Sequence, residues 1–78
     1  MHTWIPLSSL RAGEVAEVRQ VVGQADQVRR LEELGLRDGA TLEIVRAGSP
    51  SIVRLGGSTL CLRNGDVVSV LVAPRMSA

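Results

Sequence analysis

Residues 30–39 read RLEELGLRDG, and this stretch predicts the end of a short helix and a sharp reversal into a strand. Gly35 suits the left-handed backbone that follows a last helical turn, because glycine has no Cβ to oppose a positive φ. Leu36 then falls where it can contact Leu31, which is the hydrophobic contact of a Schellman stop. Gly39, four residues after Gly35, suits a tight turn.

The helix before this stop is predicted by apolar residues at every third position. Val28, Leu31 and Leu34 repeat with that spacing, and we expect all three to face the core. Asp26 is the predicted N-cap, because its carboxylate can accept the free amide hydrogens of the first turn.

Short strands are predicted on both sides of the helix, since glycine and proline interrupt the apolar pattern at close intervals. One helical turn with Leu7 and Leu10 facing inward comes first. Gly56 and Gly57 join two strands as a hairpin with a primed turn. The predicted strands cover residues 14–22 with a bulge near 19–20, then 41–47, 51–55 and 58–63, and a last strand that carries Val68, Val70 and Val72 and ends at Pro74.

These elements predict a mainly β fold, a small SH3-like antiparallel barrel of about five strands with a short helix inserted after the first strand. The connections are too short for the crossovers that parallel strands need. With 78 residues, we expect a single domain over 1–78, with an ordered core at about 5–73 and a frayed tail at 74–78.

The composition argues against several classes of function. The net charge is +1, and the nine basic residues, all arginine, are scattered along the chain, which favours no nucleic-acid partner. No apolar run approaches the roughly 20 residues that span a bilayer, and no secretory signal is visible. The single Cys61 has no partner for an internal disulfide, which fits a cytoplasmic protein.

Groups that could carry chemistry are scarce. With one histidine, one cysteine and no tyrosine or lysine, we expect no catalytic residue and no enzyme activity. Glu32 and Glu33 point about 100° apart on the helix and are predicted to face solvent. Ferrous iron prefers several converging histidine and carboxylate ligands. His2 lies near the terminus and Cys61 is predicted to be a packed or half-exposed strand residue, so we expect no cofactor and no metal site within the chain.

Three runs of residues carry a resemblance to a known family. The most specific run is Arg30-Leu31-x-x-Leu34-Gly35-Leu36-x-x-Gly39. The other two runs are Leu7-x-x-Leu10-x-x-Gly13-x-x-Ala16-x-Val18 and Leu60-x-Leu62-Arg63. Over about residues 5–73 the chain resembles the FeoA family, small SH3-like cytoplasmic proteins of the bacterial ferrous iron transport system. Asp38 stands where the family often has proline, and aspartate also favours turns.

The resemblance implies a non-enzymatic accessory or regulatory protein of ferrous iron uptake. The implied partner is a FeoB-type membrane permease with a cytoplasmic GTPase domain, and the chain would meet the membrane only through that partner. A homo-oligomer is compatible with the sequence. The same module also resembles the C-terminal domain of diphtheria-toxin-repressor-type metal regulators, so a free-standing module of such a regulator and a small RNA-binding barrel stay open as alternatives.

The candidate partner-binding surface comprises Trp4, Arg29, Arg30 and Glu33, because insertions on a small rigid barrel commonly carry recognition. We expect the two arginines to pair with the neighbouring glutamates, so that replacing either would leave folding intact. Trp4 is the only aromatic residue, and packing on its own domain is favoured over a role as partner anchor. The structural signature of the family resemblance is Leu31, Leu34, Gly35, Leu36 and Gly39.

Overall fold

An antiparallel sheet of six strands forms the body of the molecule in a computed structural model that describes residues 4–75. The strand order across the sheet is β1-β6-β2-β3-β4-β5, and every neighbouring pair is antiparallel. The predicted mainly β antiparallel fold is confirmed, with one more strand than expected because a two-residue strand opens the sheet. The elements are β1 (Ile5–Pro6), a 3-10 turn (Leu7–Ser9), β2 (Val15–Val21), α1 (Ala25–Glu33), β3 (Thr41–Arg46), β4 (Ser51–Leu55), β5 (Ser58–Leu62), α2 (Asn64–Val67) and β6 (Val70–Arg75).

Alternate residues of the strands supply one hydrophobic core. Val18 of β2 lies opposite Val72 of β6, and both are fully buried. The 3-10 turn places Leu7 and Leu10 inward as predicted, so the turn seals the core. The buried cluster consists of Leu7, Leu10, Ala16, Val18, Leu31, Leu36, Leu42, Ile44, Val53, Leu62, Val67, Val70 and Val72.

Two local features of the strands follow the sequence closely. The pairing of β2 with β6 shifts register between Val18 and Gln20, which confirms the predicted bulge and bends the long strand around the core. Leu55 and Ser58 face each other across a two-residue turn. Gly56 has a φ of 60° and Gly57 has no positive φ, the pattern of a type II′ turn.

The two ends of α1 differ in how well the sequence predicts them. Gln24 occupies the N-cap position, so the predicted N-cap Asp26 is wrong and lies inside the first turn, where its Oδ1 accepts the N–H of Gln27 at 2.9 Å. A carboxylate in the first turn is still stabilised by the positive end of the helix dipole. At the other end, the predicted Schellman stop is present, since the Leu36 N–H donates to the Leu31 carbonyl at 3.1 Å and Gly35 has a φ of 108°.

The inward face of α1 is narrower than the sequence suggests. Leu31 is fully buried, Val28 is half-buried, and Leu34 is 44% exposed, so the prediction that all three face the core is wrong for Leu34. A helix turns about 100° per residue, which separates Val28 and Leu34 by about 120° around the axis. Only the middle residue of the three can therefore point directly at the sheet.

The C-terminal part of the chain also departs from the prediction. The short helix α2 occupies Asn64–Val67, so Val68 is not in the last strand and is 55% exposed. The strand β6 continues through Pro74 to Arg75, two residues that we expected in the frayed tail. Among the described residues, β1 pairs only with Leu71 and Val72, which leaves the end of β6 with one unpaired side where proline is tolerated. The rest of the predicted tail, 76–78, lies outside the described residues.

Candidate partner-binding surface

The C-terminal end of α1 has exposed charged side chains and one exposed apolar side chain. Arg29 and Glu33 are four residues apart, so they share one side of the helix, and both are exposed. Leu34, the C-cap residue directly after α1, follows Arg30 by four residues, lies about 140° around the helix axis from Arg29, and is 44% exposed. Arg29 makes no ion pair with any residue in 4–75, so its expected pairing with a neighbouring glutamate is wrong. The end of the helix therefore offers an apolar contact at Leu34, and Arg29 offers a cation on a different side of the same element.

Arg30 has a structural partner that the sequence did not suggest. Its Nη2 lies 2.7 Å from Oδ1 of Asp66, so the expected pairing of Arg30 with a neighbouring glutamate is wrong. Asp66 is only 8% exposed, and its Oδ2 accepts the backbone N–H of Arg63 at 3.3 Å, which caps the start of α2. Arg30 thus ties α1 to α2, and it can serve a partner only with the part of its side chain that stays exposed.

Reversing the charge of Arg30 should destabilise the fold, whereas the same change at Arg29 should not. We expect Arg30→Glu to lower the free energy of unfolding by about 1–2 kcal/mol, because it places a carboxylate against the buried Asp66, although solvent around Arg30 screens part of the effect. Arg29→Glu should stay within about 0.5 kcal/mol of the parent chain. Urea denaturation followed by circular dichroism measures both. Equal stabilities would show that the ion pair with Asp66 contributes nothing.

Trp4 belongs to a separate patch on the sheet. The guanidinium carbon of Arg19 lies 5.8 Å from the centroid of the indole ring, and the Trp4 residue remains 42% exposed. Arg19 is held there by Glu17 at 2.7 Å and, at 3.7 Å, by Asp38. A recess of about 230 Å³ is lined by Trp4, Glu17, Arg19 and Ala73 and includes no residue of α1. Trp4 and the helix residues therefore do not form one contiguous site.

A groove that the sequence did not predict lies between the 3-10 turn, the end of β3 and α2. Its volume is about 280 Å³. The apolar part of its lining is Leu7, Leu10, Ile44 and Val67, and the polar part includes Ser8, Ser49, Ser51 and Asn64. These residues come from distant parts of the sequence, so no local motif could have predicted the groove. It contains no acid, base or thiol and suits an apolar side chain.

Residues with metal-binding side chains do not converge in the described part of the chain. Residues 4–75 contain no group of three or more His, Cys, Asp or Glu side chains that could hold a metal ion. Cys61 is exposed on β5 rather than packed, and His2 lies outside the described residues. Within the same range, no helix has both the length and the apolar character needed to cross a membrane.

Comparisons with known proteins agree with the predicted resemblance. A family model described as the FeoA domain matches residues 5–74. The solution structure of FeoA from Chlorobium tepidum is 34% identical, with a TM-score of 0.85 over 95% of this chain and 73% of that one. Zinc-bound FeoA from Stenotrophomonas maltophilia, described as a prokaryotic SH3 domain protein and a proposed ferrous iron transport activating factor, is 28% identical, with a TM-score of 0.81 over 95% and 99% of the two chains.

A manganese-dependent transcriptional repressor shares the fold alone. It is 14% identical, with a TM-score of 0.88, and the similarity covers 96% of this chain but 44% of the repressor. No curated protein matches the sequence. The SH3-like character of the predicted fold is confirmed by these structures.

Proposed function

We propose that this chain, which belongs to the FeoA family, is a non-enzymatic accessory protein of ferrous iron uptake that binds the cytoplasmic part of a FeoB-type permease. The family match extends over residues 5–74, almost all of the chain. The relative from S. maltophilia, described as a proposed transport activating factor, is similar along 99% of its own length. In this proposal the protein is cytoplasmic and reaches the membrane only through the permease.

The observation that carries the proposal is the exposed Leu34 at the charged C-terminal end of α1. An apolar side chain that is 44% exposed, one helical turn after Arg30 and directly after Glu33 in the sequence, resembles the centre of a protein interface, where an apolar contact is surrounded by polar groups. Leu34 also ends a helix that the Schellman stop fixes, so the side chain is presented by a rigid element. We therefore propose that Arg29, Glu33 and Leu34 contact the permease, with Arg30 contributing its exposed part.

The distribution of arginines supports a protein partner over a nucleic acid. Arg19 pairs with Glu17, Arg30 with Asp66 and Arg54 with Glu43. A nucleic-acid surface needs a stripe of available cations and aromatic side chains on which bases stack. Here the single tryptophan is already approached by Arg19 at 5.8 Å.

Binding to the purified cytoplasmic domain of the permease tests the proposal. We expect Leu34→Ala and Arg29→Glu each to weaken binding about tenfold, which corresponds to about 1.4 kcal/mol, with little change in stability. Val68→Ala is the matched control, because Val68 is also an exposed apolar C-cap residue, 55% exposed, but belongs to α2. Isothermal titration calorimetry gives the affinities, and the protein alone should release no phosphate from GTP.

Three outcomes would contradict parts of this proposal. Absence of binding by the parent chain would overturn the permease as partner. Loss of binding on Trp4→Ala, with Leu34→Ala unaffected, would move the contact from α1 to the sheet patch. Tight RNA binding with a steep dependence on salt would favour the RNA-binding alternative instead.

A further inference from the structure

The strand β5 is an open edge of the sheet. It stands last in the strand order and, among the residues that the structure describes, pairs only with β4. None of the remaining backbone hydrogen bonds within 4–75 involves a residue of β5. An edge strand presents a row of unpaired N–H and C=O groups, which another extended strand can satisfy.

The register of the hairpin identifies which groups point outward. In a two-residue hairpin, the pair next to the turn exchanges both of its hydrogen bonds, and bonded and non-bonded pairs then alternate along the strands. Leu55 and Ser58 form the first pair, so Leu60 is in a bonded pair again. Thr59, between Ser58 and Leu60, and Cys61, after Leu60, are therefore in non-bonded pairs. Their N–H and C=O groups point away from β4. Both side chains are exposed.

This edge lacks the features that usually prevent strand addition. The segment Ser58–Leu62 contains no charged residue and no proline, and its pairing with β4 has no register shift. Edges that must stay single commonly carry such a charge, a proline or a bulge. On the outer face, Cys61 lies opposite the half-buried Ile52, so the surface beside the edge is partly apolar.

We propose that β5 pairs antiparallel with β5 of a second copy of this chain, about a two-fold axis at Leu60. Thr59 then lies opposite Cys61 of the second copy, and all the outward N–H and C=O groups of both residues are used. The two Leu60 side chains, each half-buried in the single chain, meet on the inner face. The result is a continuous sheet through both molecules.

Other two-fold registers use fewer of these groups. Placing Cys61 opposite itself would set Thr59 against Arg63 of the second copy, whose N–H already donates to Oδ2 of Asp66 at 3.3 Å. Placing Thr59 opposite itself would set Cys61 against Gly57 of the second copy, which lies in the turn after Leu55. The register centred on Leu60 is therefore preferred.

The charges near the edge favour a second copy as the occupant. Self-pairing of an uncharged strand brings no like charges together. Arg54 on β4 already pairs with Glu43 at 3.0 Å. In the proposed register, Arg63 lies opposite Gly57 of the second copy, which has no side chain.

The mass of the protein in solution tests the pairing. Size-exclusion chromatography with light scattering should give twice the chain mass of 8.3 kDa for the parent protein at high micromolar concentration. Thr59→Pro should give the single-chain mass, because proline removes an outward N–H without removing a hydrogen bond to β4. Thr59→Val, which keeps the N–H, should remain a dimer. Circular dichroism checks that both variants are folded.

A parent chain that remains a monomer up to millimolar concentration would overturn the proposal, as would a folded Thr59→Pro variant that is still a dimer. The register has its own test. Residues directly opposite in a bonded antiparallel pair have Cα atoms about 5.5 Å apart, which permits a disulfide. Thr59→Cys should therefore form a disulfide-linked dimer with Cys61 of the second copy under mild oxidation, whereas rapid linkage of the parent chain through Cys61 would contradict the register. The permease takes no part in these measurements.

Discussion

Leu31→Ala should lower the free energy of unfolding by about 2–4 kcal/mol, because it removes a fully buried side chain from the centre of the core. The carbonyl of Leu31 also accepts a hydrogen bond from the N–H of Leu36, and the side chains of both leucines belong to the same buried cluster. A domain of this size has only about 5 kcal/mol of stability in total. We therefore expect the variant to be partly unfolded and to lose partner binding together with structure. Urea denaturation followed by far-ultraviolet circular dichroism measures the loss.

Leu34→Ala is the matched control, since it makes the same chemical change three residues later, at the C-cap of the same helix. Leu34 is 44% exposed, so we expect a loss of no more than about 0.5 kcal/mol. The two variants separate folding from binding, because Leu31→Ala acts through the core and Leu34→Ala acts only on the surface. Similar losses for the two would mean that Leu34 is buried in solution and that its proposed contact with the permease is wrong.

The features predicted correctly are those that depend on a few neighbouring residues. The stop at Gly35 follows from a glycine in the left-handed region with a leucine on either side. The backbone hydrogen bonds that the N–H groups of Gly35 and Leu36 donate both end within residues 31–36. The hairpin at Gly56 is local in the same sense. For such features the residue types alone limit the backbone to one conformation.

The features that the sequence misplaced depend on contacts between distant residues. The ion pair of Arg30 with Asp66 joins residues 36 positions apart, and no residue near Arg30 in the sequence predicts it. Asp66 in turn caps α2, which takes the chain out of the extended conformation and moves the start of the last strand from Val68 to Val70. The groove beside the 3-10 turn is likewise assembled only by the topology.

Gly35→Ala should be more destabilising than Gly39→Ala, with a loss of about 1–3 kcal/mol. Gly35 has a φ of 108°, and an L side chain in left-handed backbone costs about 1–2 kcal/mol. A Cβ at this position would also lie 2.8 Å from Cδ2 of Leu55, so that side chain must move within a packed region. Thermal unfolding followed by circular dichroism should show a fall in Tm of about 4–8 °C for each kcal/mol.

Substitutions at two other glycines separate the backbone strain in Gly35→Ala from the contact with Leu55. Gly39 has a φ of 93° with open space around it, so Gly39→Ala reports the backbone strain without the contact. The further loss in Gly35→Ala then measures the displacement of Leu55. Gly65 lies in α2 without a positive φ, and Gly65→Ala should raise stability by about 0.5–1 kcal/mol because alanine favours a helix. If Gly35→Ala left the stability unchanged, the left-handed stop would not be what ends α1, and the rigid presentation of Leu34 would lose its basis.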